Sequence, residues 1–217
     1  MASAVDICNL ALSRLGDDAT VSSIDPPEGS AQAEHCKRFY PIARDVALSK
    51  HTWNFATKRA ALALLSNVST AEWQYAYSAP SDILSTSAGI NIYPNGAFTE
   101  GGVAFAVETT TANGIVIYTN VEDAYIRYTS KVTDTTRFTP EFVDALSYLL
   151  ASYMPGPVLK GYRDIKMNVE MMKLFKVTLA EAASSDSMSN KPKIDHVPDF
   201  VQARGFNSTI QDGWIKR

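Results

Sequence analysis

A chain of 217 residues, 46% of them hydrophobic, holds enough apolar material for one large domain or two small ones. Its formal charge of −3 and isoelectric point near 5.6 exclude a protein whose whole surface binds nucleic acid, while leaving room for a local basic patch. No run approaches the ~18 consecutive apolar residues of a membrane helix and Asp6 interrupts the first apolar stretch, so neither a membrane span nor a secretory signal is expected and the chain should stay in the cytoplasm.

Ser3 and Asp6 form an S-x-x-D capping box, Val5, Cys8, Leu12 and Leu15 recur at helical spacing, and Gly16 stands where a left-handed stop belongs. These features predict a helix over residues 3–15. DPPEG at 25–29 reads as a turn or loop, and residues 30–50 predict a second helix on Ala33, Cys36, Tyr40, Ala43 and Ala47. Pro41 lies inside it, removing one backbone hydrogen bond and clashing with the preceding turn, so either this helix bends at Phe39-Tyr40 or two shorter helices meet there.

From Trp73 to Val132 the texture changes to Tyr, Val, Ile and Thr, punctuated by Asn95-Gly96, Gly101-Gly102 and Asn113-Gly114. Asn-Gly pairs favour tight hairpin turns and Ile115-Val116-Ile117-Tyr118 is strong strand sequence, which predicts roughly four to six antiparallel strands. The last of these alternates, with Tyr125, Arg127 and Thr129 on one side and Ala124, Ile126 and Tyr128 on the other. Thr139-Pro140-Glu141 then opens a helix over 139–154: Thr139 caps free N–H groups, Pro140 suits the first helical position and Glu141 faces the positive end of the dipole. Phe142, Leu146, Leu149 and Tyr153 share one face.

Pro155-Gly156-Pro157 enforces a break before a long helix predicted over 162–183. Ile165, Val169, Met172 and Leu179 share its apolar face, which Met167, Met171 and Phe175 widen. Such breadth fits two roles: a helix central in its own bundle, or a Met-rich arm docking on a partner. SSDSMSN at 184–190 is polar and flexible in composition and reads as a linker to a C-terminal tail whose Phe200, Phe206, Ile210 and Trp214 are expected to anchor on a neighbour. The predicted fold class is therefore α+β: a helical core from residues 1–69 plus 133–190, an inserted antiparallel β unit at 70–132, and an extended tail at 191–217.

No GxSxG elbow, P-loop, HExxH or GxGxxG after a strand is present, so the sequence nominates no catalytic or cofactor-binding residue. Cys8 and Cys36 are the only cysteines and read as buried small hydrophobes. Cys8, Cys36, His35 and His51 lack CxxC or HxxxH spacing, so no metal site is expected. Against the acidic average, residues 35–59 carry Lys37, Arg38, Arg44, Lys50, Lys58 and Arg59 with Asp45 alone opposing them, a local charge of +5. This is either the solvated face of a helix or a patch meeting an acidic partner or DNA.

DAYIRYTSKVTDTTRFTPEFVDALSYLLASYM at 123–154, FYPIARDVAL at 39–48 followed by WNFATKRAAL at 53–62, WQYAYSAPSD at 73–82 and ICNLALSRLG at 7–16 occur in an order that resembles the tail tubular protein A family of short-tailed phages. Where that family has Leu-Pro before the Asp, this chain has Ala79-Pro80, and residues 86–120 carry no such match. The resemblance implies a non-enzymatic virion protein, made in the host cytoplasm and located at the head–tail junction. It implies a homo-oligomeric ring of twelve copies joining the portal protein to the tail nozzle (tail tubular protein B), with double-stranded DNA passing through and no membrane or cofactor involved. On that reading Lys37, Arg38, Arg44, Lys50, Lys58 and Arg59 face the portal or the DNA channel, and Met167, Met171, Phe175, Phe200, Phe206 and Trp214 dock on partners. Two rivals stand beside it: a tail-associated glycan hydrolase with two carboxyl groups ~5–10 Å apart on the β unit, and a DNA-binding completion factor with salt-dependent affinity for duplex.

Overall fold

The computed structural model describes residues 2–66, 72–84, 89–94, 102–111, 113–154 and 163–189 of an α+β fold. Helix α1 (Ala4–Arg14) begins where the Ser3 hydroxyl accepts the Asp6 N–H at 3.1 Å and the Asp6 carboxylate accepts the Ser3 N–H at 2.8 Å. Reciprocal capping of this kind contributes about 1 kcal/mol. Ile7, Cys8, Ala11 and Leu12 are fully buried, and Gly16 turns the chain away with φ of 77°.

Helix α2 (Ala31–Ser49) starts at the Ser30 hydroxyl and buries Ala33, Cys36, Tyr40, Ala43 and Ala47, the face the periodicity predicts. It runs through Pro41 without dividing into two. Pro41 and Lys37 are both exposed, so the Lys37 carbonyl that Pro41 cannot bond lies on the side of the helix open to solvent. Helix α3 (Pro140–Tyr153) begins with the Thr139 hydroxyl accepting the Phe142 N–H at 3.3 Å. Helix α4 (Arg163–Met188) packs along α3 in the opposite sense: Asn168 donates to the Ser152 carbonyl near one end, and Asp186 meets Asn54 at the other.

The helices enclose one core. Trp53, with no exposed surface, donates from its indole to the Ala47 carbonyl at 3.2 Å and meets Phe55 and Phe142 at ring separations of 5.7 and 4.9 Å. Trp53, Ala56, Val132 and Phe138 extend this core from the helices into the segments that enter and leave the β unit.

Seven antiparallel strands form among the described residues: β1 (Thr57–Ala61), β2 (Ala63–Leu64), β3 (Tyr75–Ser78), β4 (Asn91–Tyr93), β5 (Phe105–Thr110), β6 (Gly114–Thr119) and β7 (Tyr125–Thr129). They make a three-stranded sheet in the order β1-β7-β4 and a four-stranded sheet in the order β2-β3-β6-β5. Leu62 alone separates β1 from β2, so one extended run passes from the first sheet to the second. Ile92, Ile126, Tyr128, Tyr77 and Ile117 belong to a second core between the sheets, while Ala76, Val116 and Tyr118 form a third, smaller cluster with Trp73 and Leu65. Gly114, with φ of 67°, closes the β5–β6 hairpin opposite Thr110.

Two expectations need correction. The β unit starts at Thr57 rather than at 70, because β1 finds its hydrogen-bonding partner in β7 and β2 in β3. The run at 184–189 is not a linker: α4 continues through Ser184, Ser185 and Asp186 to Met188, and the Ser187 hydroxyl donates to the Ala183 carbonyl at 2.8 Å. Of the two alternatives for α2, its continuity excludes two separate helices meeting at Pro41. Asn95-Gly96, the Pro155-Gly156-Pro157 break, the Ile165 side chain and the whole tail with Phe200, Phe206, Ile210 and Trp214 lie outside the described residues.

Candidate interaction surfaces

The six basic residues of the 35–59 segment do not form one patch. Lys37 and Arg38 are exposed on the outer side of α2, near exposed Ile42, and Lys50 is exposed at the α2 C-cap. Arg44 is only 7% exposed, and its guanidinium donates to Asp45 Oδ1 at 2.9 and 2.7 Å. Arg44 therefore leaves the predicted surface: its position on α2 points between the helix and the body of the protein, where the neighbouring carboxylate neutralises it. Lys131 reaches the other Asp45 oxygen at 2.8 Å.

Lys58 and Arg59 are consecutive in β1 and so project from opposite faces of the sheet. Lys58 stands in register with Tyr128 on the side turned toward the second sheet, and its ammonium pairs with Asp82 at 2.6 Å. The Tyr128 hydroxyl donates to the other Asp82 oxygen at 2.7 Å, and the Lys131 N–H donates to the Asp82 carbonyl at 2.8 Å. The Lys58 ammonium holds the Asp82 carboxyl below its ordinary pKa, and burial together with the Asp82 charge pushes the Tyr128 phenol up to about 12. Arg59 stands opposite Arg127, and Arg127 opposite Asn91, on the outer face of that sheet.

On α4, Met171 and Phe175 are buried at 7% and 3% exposure and Met167 is half-buried, all packed in the helical core. These three are thus intramolecular packing groups rather than docking groups, because this side of α4 lies against α3. The outward side instead shows Val169, Val177 and Met188 among Lys166, Lys173 and Glu181. At the end of α4 the Asp186 side chain is 6% exposed, and its carboxylate accepts the Asn54 N–H at 3.0 Å, with His51 Nε2 at 3.4 Å. The Asn54 amide returns a bond to the Asp186 carbonyl at 2.7 Å. On the far side of α3, Arg14 pairs with Asp144 and lies 3.3 Å from the Tyr148 ring centroid.

Cys8 and Cys36 are both buried and free. The Cys36 sulfur and burial push the Cys8 thiol up, which keeps it protonated and unreactive. Among the described residues no group of three or more His, Cys, Asp or Glu is placed to hold a metal ion, and no helix is long and apolar enough to cross a membrane. Among the described residues, four carboxyl groups are displaced downward: Asp6 by the Ser3 N–H, Glu28 by the Ser22 hydroxyl, Asp82 by Lys58 and Asp134 by the Thr136 hydroxyl. An open hollow of about 310 Å³ beside α2 is lined by Ile24, Asp25, Lys37, Tyr40 and Pro41, and burial pushes the Tyr40 phenol up to about 12.

Sequence reading passed over Asp82, Asp186 and Arg127 as groups that organise these surfaces. Asp82 closes the WQYAYSAPSD segment and Arg127 was visible only as one side of an alternation; each is given its role by a strand pairing distant in sequence. No protein-family model matches the chain, and no curated protein sequence matches it.

Proposed function

We propose that this chain is a structural, non-enzymatic head-to-tail adaptor of a short-tailed phage. Twelve copies form a ring between portal and tail nozzle, and double-stranded DNA passes through the ring. The observation that carries the reading is spatial: the five sequence segments that resemble the tail tubular protein A family meet one another in the fold. Asp82 of segment 73–82 takes the Lys58 ammonium of segment 53–62 and the Tyr128 hydroxyl of segment 123–154. Trp53 of one segment packs edge-on against Phe142 of another, 4.9 Å between ring centres. Arg14 of segment 7–16 pairs with Asp144, and segment 39–48 supplies the buried face of α2 against the same core.

The architecture suits the role. A helical core and a strand-built unit joined through Trp53, Ala56, Val132 and Phe138 offer two different surfaces for two different partners. Head-to-tail contacts close into a ring only at the right rotation per subunit, so the portal is the natural template for closure. The test is electron microscopy of the purified chain mixed with the cognate portal. Twelvefold density seated on the portal is the expected result; a chain that neither sediments with the portal nor adds density to it would overturn the proposal.

A further inference from the structure

We infer that the outer side of α4 is a self-association surface on which a second copy of this chain packs, the two α4 helices running antiparallel about a two-fold axis. The inference goes beyond the adaptor reading and stands on α4 alone. Among the described residues seven large hydrophobic side chains are exposed, and four of them, Val169, Leu174, Val177 and Met188, belong to this one helix. At 100° per residue these four fall on one half of α4, and Phe175, Ala182 and Asp186, which are buried, fall on the other. The four therefore project from the side that α3 leaves open. Apolar groups gathered on one exposed surface mark an interaction site, where the same groups scattered singly do not.

Shape names the occupant. Along the outer side, the first half carries the large residues Glu170, Lys173, Leu174 and Val177, and the second half the small residues Ala180, Ser184 and Ser185, all exposed. Those small residues, with Glu181 and Met188, line an open hollow of about 540 Å³, and a second hollow of about 470 Å³ lies among Lys166, Val169, Glu170 and Lys173. An antiparallel copy sets the large half of each helix on the small half of the other. With the two-fold axis between Thr178 and Leu179, Val177 shares a layer with Ala180 of the second copy, Lys173 with its Ser184 and Glu170 with its Ser187. Met188, 83% exposed at the helix end, then reaches the second copy's hollow beside Val169. Charge makes the same choice. A parallel copy in register sets Glu170 on Glu170 and Lys173 on Lys173, whereas the antiparallel copy sets each against a serine, and the Lys173 stem packs while its ammonium stays in water. The face from Lys166 to Met188 is roughly 33 Å long. Its area falls at the low end for specific interfaces, so a dissociation constant on the order of 10 µM is expected. A two-fold contact joins two copies and stops, while a ring needs every copy in one orientation along its axis. The pair is thus the form of the free chain, and in an adaptor it opens as the portal templates the ring.

The test is analytical ultracentrifugation of the full chain, without portal, from about 1 µM to about 500 µM, a range that brackets the expected constant. The wild type is expected to pass from monomer to dimer across that range. Val177→Glu should weaken the dimer about tenfold or more, because it brings two carboxylates together at the centre of the contact. Glutamate forms helix more readily than valine, so the variant stays folded, and a melting curve at low concentration that matches the wild type confirms it. Ala180→Lys should weaken the dimer in the same way, while Ile42→Glu on α2 leaves it unchanged. Mixing Val177→Glu chains with Ala180→Lys chains should restore a dimer, since the antiparallel register sets position 177 against position 180 of the other copy; a parallel pair restores nothing. A wild type that stays monomeric throughout, a Val177→Glu dimer as tight as that of the wild type, or no recovery in the mixture would each overturn the inference. So would rings larger than a dimer formed by the free chain. Because no portal is present, failure of the adaptor reading leaves these results as they stand.

Discussion

Replacing Asp186 by Ala tests whether the serine-rich end of α4 is anchored structure. The Asp186 side chain is 6% exposed and accepts the Asn54 N–H, while His51 Nε2 stands 3.4 Å away. A hydrogen bond to a charged group is worth about 1.5–3 kcal/mol, and the substitution takes that acceptor away from the half-buried Asn54 N–H. The bond from the Asn54 amide to the Asp186 main-chain carbonyl survives the substitution if the helix end stays in place. The expected loss is therefore about 2–3 kcal/mol, which lowers the melting temperature by roughly 4–12 °C in a domain of this size. Asp186→Asn keeps one acceptor oxygen and should lose about half as much. Thermal melting followed by circular dichroism measures the loss, and amide exchange at 184–188 locates it. Deleting 191–217 should leave the melting temperature in place because the anchor remains, whereas deleting 184–217 should reproduce the Ala effect. If Asp186→Ala melts within about 1 °C of wild type and the 184–188 amides exchange as fast as unfolded chain, the anchoring argument is wrong.

Trp53→Ala should cost about 3–5 kcal/mol in urea unfolding, since it empties a fully buried site against Phe55, Phe142 and His51 and frees the Ala47 carbonyl. A loss under about 1 kcal/mol would mean that the core collapses to fill the space. Asp82→Asn should cost only about 1 kcal/mol, because Lys58 and Asp82 are both partly exposed, and it should also reshape the pH profile. The Asp82 carboxyl is depressed in the folded state, so its contribution is complete above the ordinary value of 3.8 and fades as pH falls below it; the Asn variant should lack that acid loss. Tyr128 is raised from 10.0 to about 12, so its contribution is complete below pH 10 and is lost as pH rises toward 12. Stability measured against pH in wild type and variant checks both limbs, and an acid limb unchanged by Asp82→Asn would remove Asp82 as its source.

Helix starts were legible in the sequence because their chemistry is local. Ser3 with Asp6, Ser30 with Ala33 and Thr139 with Phe142 each need only a few neighbouring residues to satisfy the first free N–H groups, and all three caps form. Alternation at 124–129 was equally readable, since burying Ala124, Ile126 and Tyr128 on one side is a property of the strand itself. The start of the β unit was not. Thr57–Ala61 has weak strand composition, and it is extended because β7 supplies its hydrogen bonds across a long gap in sequence. The end of α4 failed for a related reason: serine and aspartate favour turns when isolated, but here a tertiary contact from Asp186 to Asn54 secures the last turn.

The same distinction between local and long-range information governs the candidate surface. Counting charge over residues 35–59 gathered six basic groups by proximity along the chain, yet helical and strand periods scatter them: Arg44 turns inward, and Lys58 and Arg59 part to opposite faces. What brings positive charge together is register. Arg59 meets Arg127, which the charge count never included because it lies far outside that window, and the pairing of β1 with β7 makes the two direct neighbours. A segment that appears strongly basic in sequence can therefore present only isolated charges, while an acidic chain can build a face with two arginines and no carboxylate in its rows. Charges gathered by register act on one surface, whereas charges scattered by the helical and strand periods point in different directions. The register of β1 on β7, more than the charge of either strand, decides where positive charge collects on this sheet.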